Sequence, residues 1–139
     1  MALTVGADCA LDPMESAFQD QVAALTGDGF GVAFEASGSR PALRQGFDSV
    51  RRGATLVQVA VLPAPELSLP IDQLTVPEIQ FVGSFCHGNV REEDVHLVAS
   101  GRVNLRLRIS RALPLKQAPE ALAPACAKCR TVKVQLETL

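Results

Sequence analysis

Residues 31–62 constrain the fold most strongly, because they read as a strand, a helix and a second strand with short turns between them. Val32–Ala36 is a short, mostly apolar run of the kind that is buried in parallel sheets. Ser39 is a favourable helix N-cap residue, and Pro41 falls in the first helical turn, where its missing N–H costs no hydrogen bond. Thr55–Val61 is a second run rich in β-branched residues, and Pro63 ends it.

The helix predicted between these strands has one apolar side. Leu43, Phe47 and Val50 recur at helical spacing, and Gly53 can adopt the left-handed conformation that often follows a helix. Two parallel strands joined by a helix form a right-handed βαβ unit. The pattern therefore predicts an α/β fold, a class that does not identify a function by itself.

The composition limits the partners that this chain can have. Its 139 residues correspond to about one domain. A net charge of −2 and the absence of Trp and Tyr argue against nucleic-acid binding. No apolar run approaches the roughly 20 residues that span a bilayer, and the N-terminus lacks the pattern of a secretion signal. Four irregularly spaced cysteines are typical of a reduced protein, so we expect a cytoplasmic setting without membrane contact.

The segments on either side of the central unit extend the α/β pattern. Gly6–Leu11 is a strand candidate, and Asp12 followed by Pro13 resembles the start of a helix that ends at Gly27. Four prolines between residues 63 and 77 indicate an irregular connector. Ile79–Phe85 is then predicted as the next strand.

The last third of the chain predicts two helices and two strands. A capping-box pattern at residues 89–92 starts a helix in which Val95 and Val98 would be buried. Leu105–Ser110 alternates apolar and polar positions, the period of a half-exposed strand. A helix with an internal proline is expected at Ala118–Lys128, and a final strand at Thr131–Leu136.

Three groups of residues could carry chemistry on their own. Cys126 and Cys129 have CxxC spacing, but a structural zinc site needs four ligands and no second pair accompanies them. Cys86 adjoins His87, yet catalytic pairs usually meet through the fold rather than along the chain. Glu35 follows a buried strand position and could be a carboxylate with a perturbed pKa, but a hydrogen-bonded structural role is the simpler interpretation. None of these groups predicts a catalytic centre.

Four arginines form a basic set near the predicted strand at 105–110. They are Arg102, Arg106, Arg108 and Arg111. A solvated face is the ordinary interpretation of such a set, and a phosphate contact or an interface is the alternative.

Six segments occur in an order that is more specific than any single motif. They are Gly6–Asp8, Leu25–Val32, Phe34–Gly38, Arg52–Val59, Glu78–Phe85 and Val132–Leu136. Together they resemble the second half of medium-chain dehydrogenases, and especially the zinc-dependent polyol branch of sorbitol, L-idonate and threonine dehydrogenases. The resemblance covers nearly the whole chain.

The fold implied by this resemblance is a partial Rossmann domain at residues 1–110 that lacks its first two strands. A return segment at residues 111–139 packs on the catalytic domain in the family. Because a Rossmann sheet has the strand order 3-2-1-4-5-6, Val32–Ala36 would present an unpaired apolar edge. A second copy of the chain or the missing N-terminal half would be the partner at that edge.

The resemblance also implies contacts to NAD or NADP. The matching positions are Ala36, Ser37, Gly38, Val59, Ser84, Cys86 and Lys133. The first three lie on the adenosine side in the family, the next three match backbone groups that hold the nicotinamide carboxamide, and the lysine matches a basic residue at the pyrophosphate.

Parts of the family pattern have no match in this chain. These are the zinc ligands, the GxGxxG turn and the acidic residue for the ribose, and Ala60 replaces a usual glycine. We therefore expect the cofactor-binding part of an NAD(P)-dependent zinc dehydrogenase, which transfers a hydride between a polyol or secondary alcohol and nicotinamide, inactive as an isolated chain. The alternatives are one half of a split dehydrogenase and a non-enzymatic dimerisation or interaction module.

Overall fold

The computed structural model describes residues 2–63, 68–69, 71–86, 90–126 and 131–138. The helices and strands, in chain order, are α1 (Phe18–Thr26), β1 (Phe30–Glu35), α2 (Arg40–Ser49), β2 (Val50–Gln58), α3 (Ile71–Thr75), β3 (Gln80–Gly83), α4 (Arg91–Ala99), β4 (Ile109–Pro114), α5 (Ala118–Cys126) and β5 (Lys133–Glu137). Three 3-10 helices lie at Leu3–Val5, Leu105–Arg108 and Leu115–Gln117. None of the described helices is long and apolar enough to cross a membrane.

The chain divides into two compact units. The three-strand unit comprises Leu11–Gly88, and the two-strand unit comprises Met1–Ala10 together with Asn89–Leu139. The domain boundary expected after residue 110 stays a prediction.

The three-strand unit contains a parallel sheet in the order β1-β2-β3. Leu56 of β2 lies opposite Ala33 of β1 and Phe81 of β3. The strands follow one another in sequence order, with α2 between the first two, and the predicted α/β class is confirmed. The next row, Phe34, Val57 and Val82, points to the other face because successive strand residues alternate.

The core of this unit lies between α2 and the sheet. Leu43 and Phe47 of α2 are 2% and 4% exposed, so the predicted apolar side of this helix is confirmed for these two residues. They cluster with Leu56, which is fully buried, and with Ile79. The Phe47 ring centroid lies 5.4 Å from that of Phe81, with the ring planes inclined by 50°.

The opposite face of the same sheet is largely uncovered. Phe34 is 69% exposed, and Val32 and Val82 are 52% and 44% exposed. Parallel sheets are usually covered on both faces, because their strands are apolar on both sides. This face is therefore an uncovered apolar surface of the three-strand unit.

The start of the chain differs from the prediction. The residues of Gly6–Leu11 form no strand, and a 3-10 helix at Leu3–Val5 precedes them. The first helix begins at Phe18 rather than near Asp12, because the Asp12 carboxylate accepts a hydrogen bond from the Met14 N–H (2.9 Å) and closes a separate turn. Gly27 ends this helix as predicted, and its N–H donates to the Ala23 carbonyl.

The two ends of α2 also differ from the prediction. Ser39 occupies the N-cap position, but its side chain makes no capping hydrogen bond. The helix ends at Ser49, so Gly53 lies inside β2 rather than just beyond the helix. Gly53 does have the predicted left-handed φ, +69°, and its N–H donates to the Pro77 carbonyl (2.9 Å). The strand starts early because the glycine accommodates a bend within it.

The two-strand unit pairs β4 with β5 in parallel, and α5 packs against both strands. The final strand and the helix with an internal proline are confirmed, with Pro124 inside α5. Ala121 is the buried apolar residue of the described part of this unit.

Two predictions for this unit are wrong. The start of Leu105–Ser110 is a 3-10 helix rather than a strand, because the Asn104 side chain caps the Arg106 N–H (3.1 Å) and β4 begins only at Ile109. The expected inner side of α4 is also absent, since Val95 and Val98 are 69% and 41% exposed. Residue 89 of the predicted capping box lies outside the described residues.

Candidate functional site

The carboxyl ends of the three parallel strands meet at one edge of the sheet. Glu35 ends β1 and is in register with Gln58, which ends β2; Gln58 is in register with Gly83, which ends β3. Open parallel sheets bind ligands in the crevice beyond these strand ends. We call residues 35–38, 58–60 and 83–86 the carboxyl edge and treat it as the candidate site.

The carboxyl edge contains six of the seven predicted contact residues: Ala36, Ser37, Gly38, Val59, Ser84 and Cys86. All are exposed except the glycine, which is half-buried. The seventh, Lys133, is an exposed residue of the two-strand unit, where it pairs in register with Ile109. The fold thus brings these six positions to one edge of the sheet, and their roles at a cofactor stay predictions.

Backbone hydrogen bonds continue one residue beyond the strands at this edge. The Glu35 carbonyl accepts from the N–H groups of Val59 (2.9 Å) and Ala60 (3.1 Å), and the Ser84 N–H donates to the Gln58 carbonyl (2.9 Å). Since these N–H groups are engaged, a ligand at Val59 or Ser84 would meet carbonyl oxygens.

The Glu35 carboxylate organises the loop after β1. It is 4% exposed, and its Oε1 accepts from the Ser37 N–H (2.8 Å), the Ser37 hydroxyl (2.6 Å) and the Gly38 N–H (2.9 Å). Its Oε2 accepts from the Gln58 side-chain amide at 2.6 Å. The structural interpretation of this carboxylate is confirmed, because its bonds fix the loop.

These bonds also set the charge state of Glu35. Burial by itself raises the pKa of the carboxyl, but hydrogen bonds from the side chains of Ser37 and Gln58 and from the backbone of Ser37 and Ser39 outweigh burial. The pKa of Glu35 therefore lies below its ordinary value of 4.5. The group is a fixed negative charge at neutral pH and cannot serve as a proton donor there.

Gln58 is the site residue that sequence reasoning missed. Its side-chain NH2 donates to Glu35 and to the Ala60 carbonyl, so it ties two strand ends together. Its Oε1 is buried and has no hydrogen-bond partner among the described residues. The sequence did contain a signal, because Gln58 lies near the end of a run of apolar residues predicted to be buried. Buried polar groups normally have a hydrogen-bond partner, so a partner for Gln58 was to be expected.

Two residues at this edge have left-handed backbone conformations. Gly38 has φ +70°, and a Cβ at this position would lie 3.1 Å from the Val61 carbonyl oxygen. Cys86 has φ +56°, which is uncommon for a residue with a side chain, and its thiol is exposed. The loop after β1 therefore requires glycine at position 38.

The described residues contain no group of three or more His, Cys, Asp or Glu side chains that could hold a metal ion. Cys126 is an exposed thiol at the end of α5, while Cys129 and His87 lie outside the described residues. The described part of the chain thus does not fit a zinc ion.

Comparisons with known proteins agree with this geometry. The profile of the zinc-binding dehydrogenase family matches residues 1–100. A sorbitol dehydrogenase of Halalkalibacterium halodurans is 38% identical over 85 residues, which is 60% of this chain and 24% of that protein. The crystal structure of L-idonate 5-dehydrogenase from Escherichia coli K-12 matches at 28% identity and a TM-score of 0.82, over 94% of this chain and 37% of that one.

A second structural neighbour contains a cofactor. A zinc-binding dehydrogenase of Sinorhizobium meliloti 1021, bound to NADP, matches at 30% identity and a TM-score of 0.83, over 97% of this chain and 40% of that one. The chain therefore spans less than half the length of these relatives. The predicted partial Rossmann fold and the predicted family resemblance are both confirmed.

Proposed function

Because the chain belongs to the zinc-binding dehydrogenase family, we propose that its carboxyl edge is the nicotinamide-cofactor site of a polyol dehydrogenase. The observation that carries the proposal is the alignment of Glu35, Gln58 and Gly83 at one edge of a parallel sheet. NAD or NADP, when bound, accepts a hydride from a polyol or secondary alcohol. This chain's own residues bind and orient the cofactor.

The loop after β1 fits the adenosine side of a dinucleotide. Ala36 and Ser37 are exposed and small, so they leave room for a flat ligand beside the loop. The loop is held by the Glu35 carboxylate, and Gly38 gives it a turn that a residue with a side chain would strain. A loop fixed before binding loses little conformational entropy when the ligand arrives.

Backbone groups at the other two strand ends fit the nicotinamide carboxamide. The carbonyl oxygens of Val59 and Ser84 would accept from its amide, and the backbone of Cys86 completes this side. Lys133 would contact the pyrophosphate as a point charge rather than as a bidentate fork. The common location of the strand ends supports the roles of Val59, Ser84 and Cys86, whereas the role of Lys133 rests on the resemblance alone.

Alcohol oxidation would need residues beyond those described. The described residues offer no ligand set for the family's zinc. The matched relatives are much longer than this chain, which spans 37% of L-idonate 5-dehydrogenase. We propose that this chain alone does not oxidise polyols and that a zinc-bearing N-terminal part or a second copy pairs with the exposed edge of β1. The unpaired thiols agree with a cytoplasmic setting.

The test of the cofactor site is a thermal melt with and without excess NAD or NADP. Because a ligand that binds only the folded state raises Tm, we expect an upward shift. Gly38→Ala should abolish this shift, since a Cβ there forces the loop to move. Gly53→Ala is the matched control, because it also has a positive φ but nothing lies within 4 Å of its Cβ. Equal shifts in both variants, or no shift in the original chain, would contradict the proposed site.

A further inference from the structure

A cleft of about 640 Å³ lies within the two-strand unit, between the 3-10 helix Leu3–Val5 and residues 101–108. Its volume is in the range of clefts that hold small organic ligands. Arg102 and Arg108 line it, and none of the described acidic side chains does. Charge of one sign in a concave surface concentrates ions of the other sign there.

The 3-10 helix Leu105–Arg108 contributes one of its two arginines to the cleft. Of the four residues of this helix, three line the cleft: Leu105, Leu107 and Arg108. Arg106 belongs to the same helix but does not line the cleft, and neither does Arg111. The strand predicted from the sequence would have placed Arg106 and Arg108 on one side, so the structure divides the basic set into two pairs.

The two cleft arginines have no carboxylate partner among the described residues. The described ion pairs, Arg44–Asp48 and Arg52–Glu78, both belong to the three-strand unit. The sequence has no Asp or Glu between residues 95 and 119. Guanidinium groups bind phosphate oxygens through paired N–H donors, so two unpaired arginines at one cleft favour a phosphate group.

The remaining lining is apolar. Val5, Leu107 and Val132 line the same cleft and are 48%, 42% and 49% exposed. Apolar walls would contact a ring or a carbon skeleton, while the arginines would hold the charged end. We propose that this cleft binds a small organic phosphate through Arg102 and Arg108.

The phosphate could come from two sources. Arg108 also lines an adjoining cleft of about 350 Å³ together with Lys133, the residue proposed for the cofactor's pyrophosphate. The ligand is therefore either a free nicotinamide dinucleotide, bound by its phosphates, or a separate phosphorylated small molecule. Both use the same chemistry at the arginines, and a competition experiment separates them.

The test is a calorimetric titration of the whole chain with phenyl phosphate, a probe with one ring and one phosphate. Arg102→Gln and Arg108→Gln should each raise the Kd about tenfold or more, the loss typical of a charge-assisted hydrogen bond. Arg106→Gln and Arg111→Gln are matched controls: both residues are exposed, each variant removes the same charge, and neither lines the cleft. They should leave the Kd within about twofold, because exposed charges at a distance are screened by salt.

Equal weakening by all four substitutions would overturn the proposal, since it would indicate only general electrostatic attraction. The proposal would equally be overturned by no saturable binding of phenyl phosphate, or by binding of an acidic peptide in its place. Displacement of phenyl phosphate by NAD would support the site and assign it to the cofactor's phosphates, whereas saturable binding without displacement supports a separate ligand. Neither result depends on Gly38, the residue varied to test the carboxyl edge. The proposals for the cleft and for the carboxyl edge can therefore be contradicted independently.

Discussion

The two units bury their apolar side chains to very different extents. In the three-strand unit, the buried apolar residues are Val22, Leu43, Phe47, Ala54, Leu56 and Ile79. In the described part of the two-strand unit, Ala121 is the buried one. A sheet of two strands rarely supports an independent fold, whereas three strands packed on a helix can. The difference indicates that the three-strand unit has its own core and that the two-strand unit needs contacts from outside its described residues.

Exposed apolar surface therefore has a different meaning in each unit. On the three-strand sheet it is one face, beside a second face that is packed against α2. In the two-strand unit, exposed apolar side chains occur on several elements, including Val98 of α4, Leu122 of α5 and Leu136 of β5. The first is one continuous face of a packed sheet, and the second is distributed over several elements.

The largest expected effect is at the centre of the packed face. Leu56→Ala removes a fully buried side chain and should lower the free energy of unfolding by about 2–5 kcal/mol. Leu107→Ala makes the same chemical change in the two-strand unit at a side chain that is 42% exposed, and should cost less than about 1 kcal/mol. Urea denaturation measures both. Similar costs would show that the two-strand unit is better packed than its exposure indicates.

Substitution of one glycine in each unit compares how closely the backbone is packed in the two units. Gly29→Ala should destabilise by about 2–3 kcal/mol, because φ is +113° and a Cβ would lie 2.6 Å from the Arg51 backbone nitrogen. Gly6 has a similar φ of +104°, but nothing lies within 4 Å of the Cβ that Gly6→Ala would add, so only about 1 kcal/mol of strain is expected. Thermal melts of the two variants give the difference. A Gly6 variant as unstable as the Gly29 variant would contradict the idea that the two-strand unit is loosely packed.

The sequence predicted the three-strand unit better than the two-strand unit for the same physical reason. Leu43 and Phe47 follow a helical period and are buried on that period, because local preference and packing agree there. Leu105–Ser110 follows the strand period, but with little core to pack against, a side chain–backbone bond from Asn104 decided the local conformation. The spacing of apolar residues predicts secondary structure where those residues can be buried in a core.

The carboxyl edge could be predicted only in part. The resemblance placed six contact positions that the fold then brought to one edge, since strand ends in a parallel sheet necessarily meet. The pair formed by Glu35 and Gln58 depends on the register of two strands 23 residues apart. No local pattern specifies such a register, so the partner of Glu35 could be found only in the structure.

The acid sensitivity of the three-strand unit follows from Glu35. Because its pKa in the folded state lies below the ordinary value of 4.5, the carboxylate contributes stability that is fully present above that pH. This contribution is lost as pH falls through the folded pKa. Glu35→Gln should cost about 1.5–2 kcal/mol at neutral pH, the range of a hydrogen bond to a charged group.

The same variant should also lose less stability than the original chain as the pH falls below the ordinary carboxyl pKa of 4.5. Glu120→Gln is a control, since it removes a carboxylate that is exposed on α5. Urea denaturation across this pH range tests the prediction. If Glu35→Gln leaves the pH dependence unchanged, other carboxylates cause the acid sensitivity.

The smallest effect on stability is expected at the uncovered face. Phe34→Thr replaces a side chain that is 69% exposed with another strand-forming residue, so the free energy of unfolding should change by less than about 0.5 kcal/mol. Phe81→Thr is the contrasting change on the packed face, where the ring contacts Phe47, and should cost several times more.

The effect of Phe34→Thr should instead appear in association. Co-expression with the zinc-bearing N-terminal part of a sorbitol dehydrogenase should recover that part with the original chain and much less of it with the variant, because the variant loses apolar area on β1, next to the edge that we propose for the partner. A stability loss of about 2 kcal/mol or more in the isolated variant would mean that Phe34 is already covered in solution. In that case a second copy of the chain occupies this face, and sedimentation would detect the dimer.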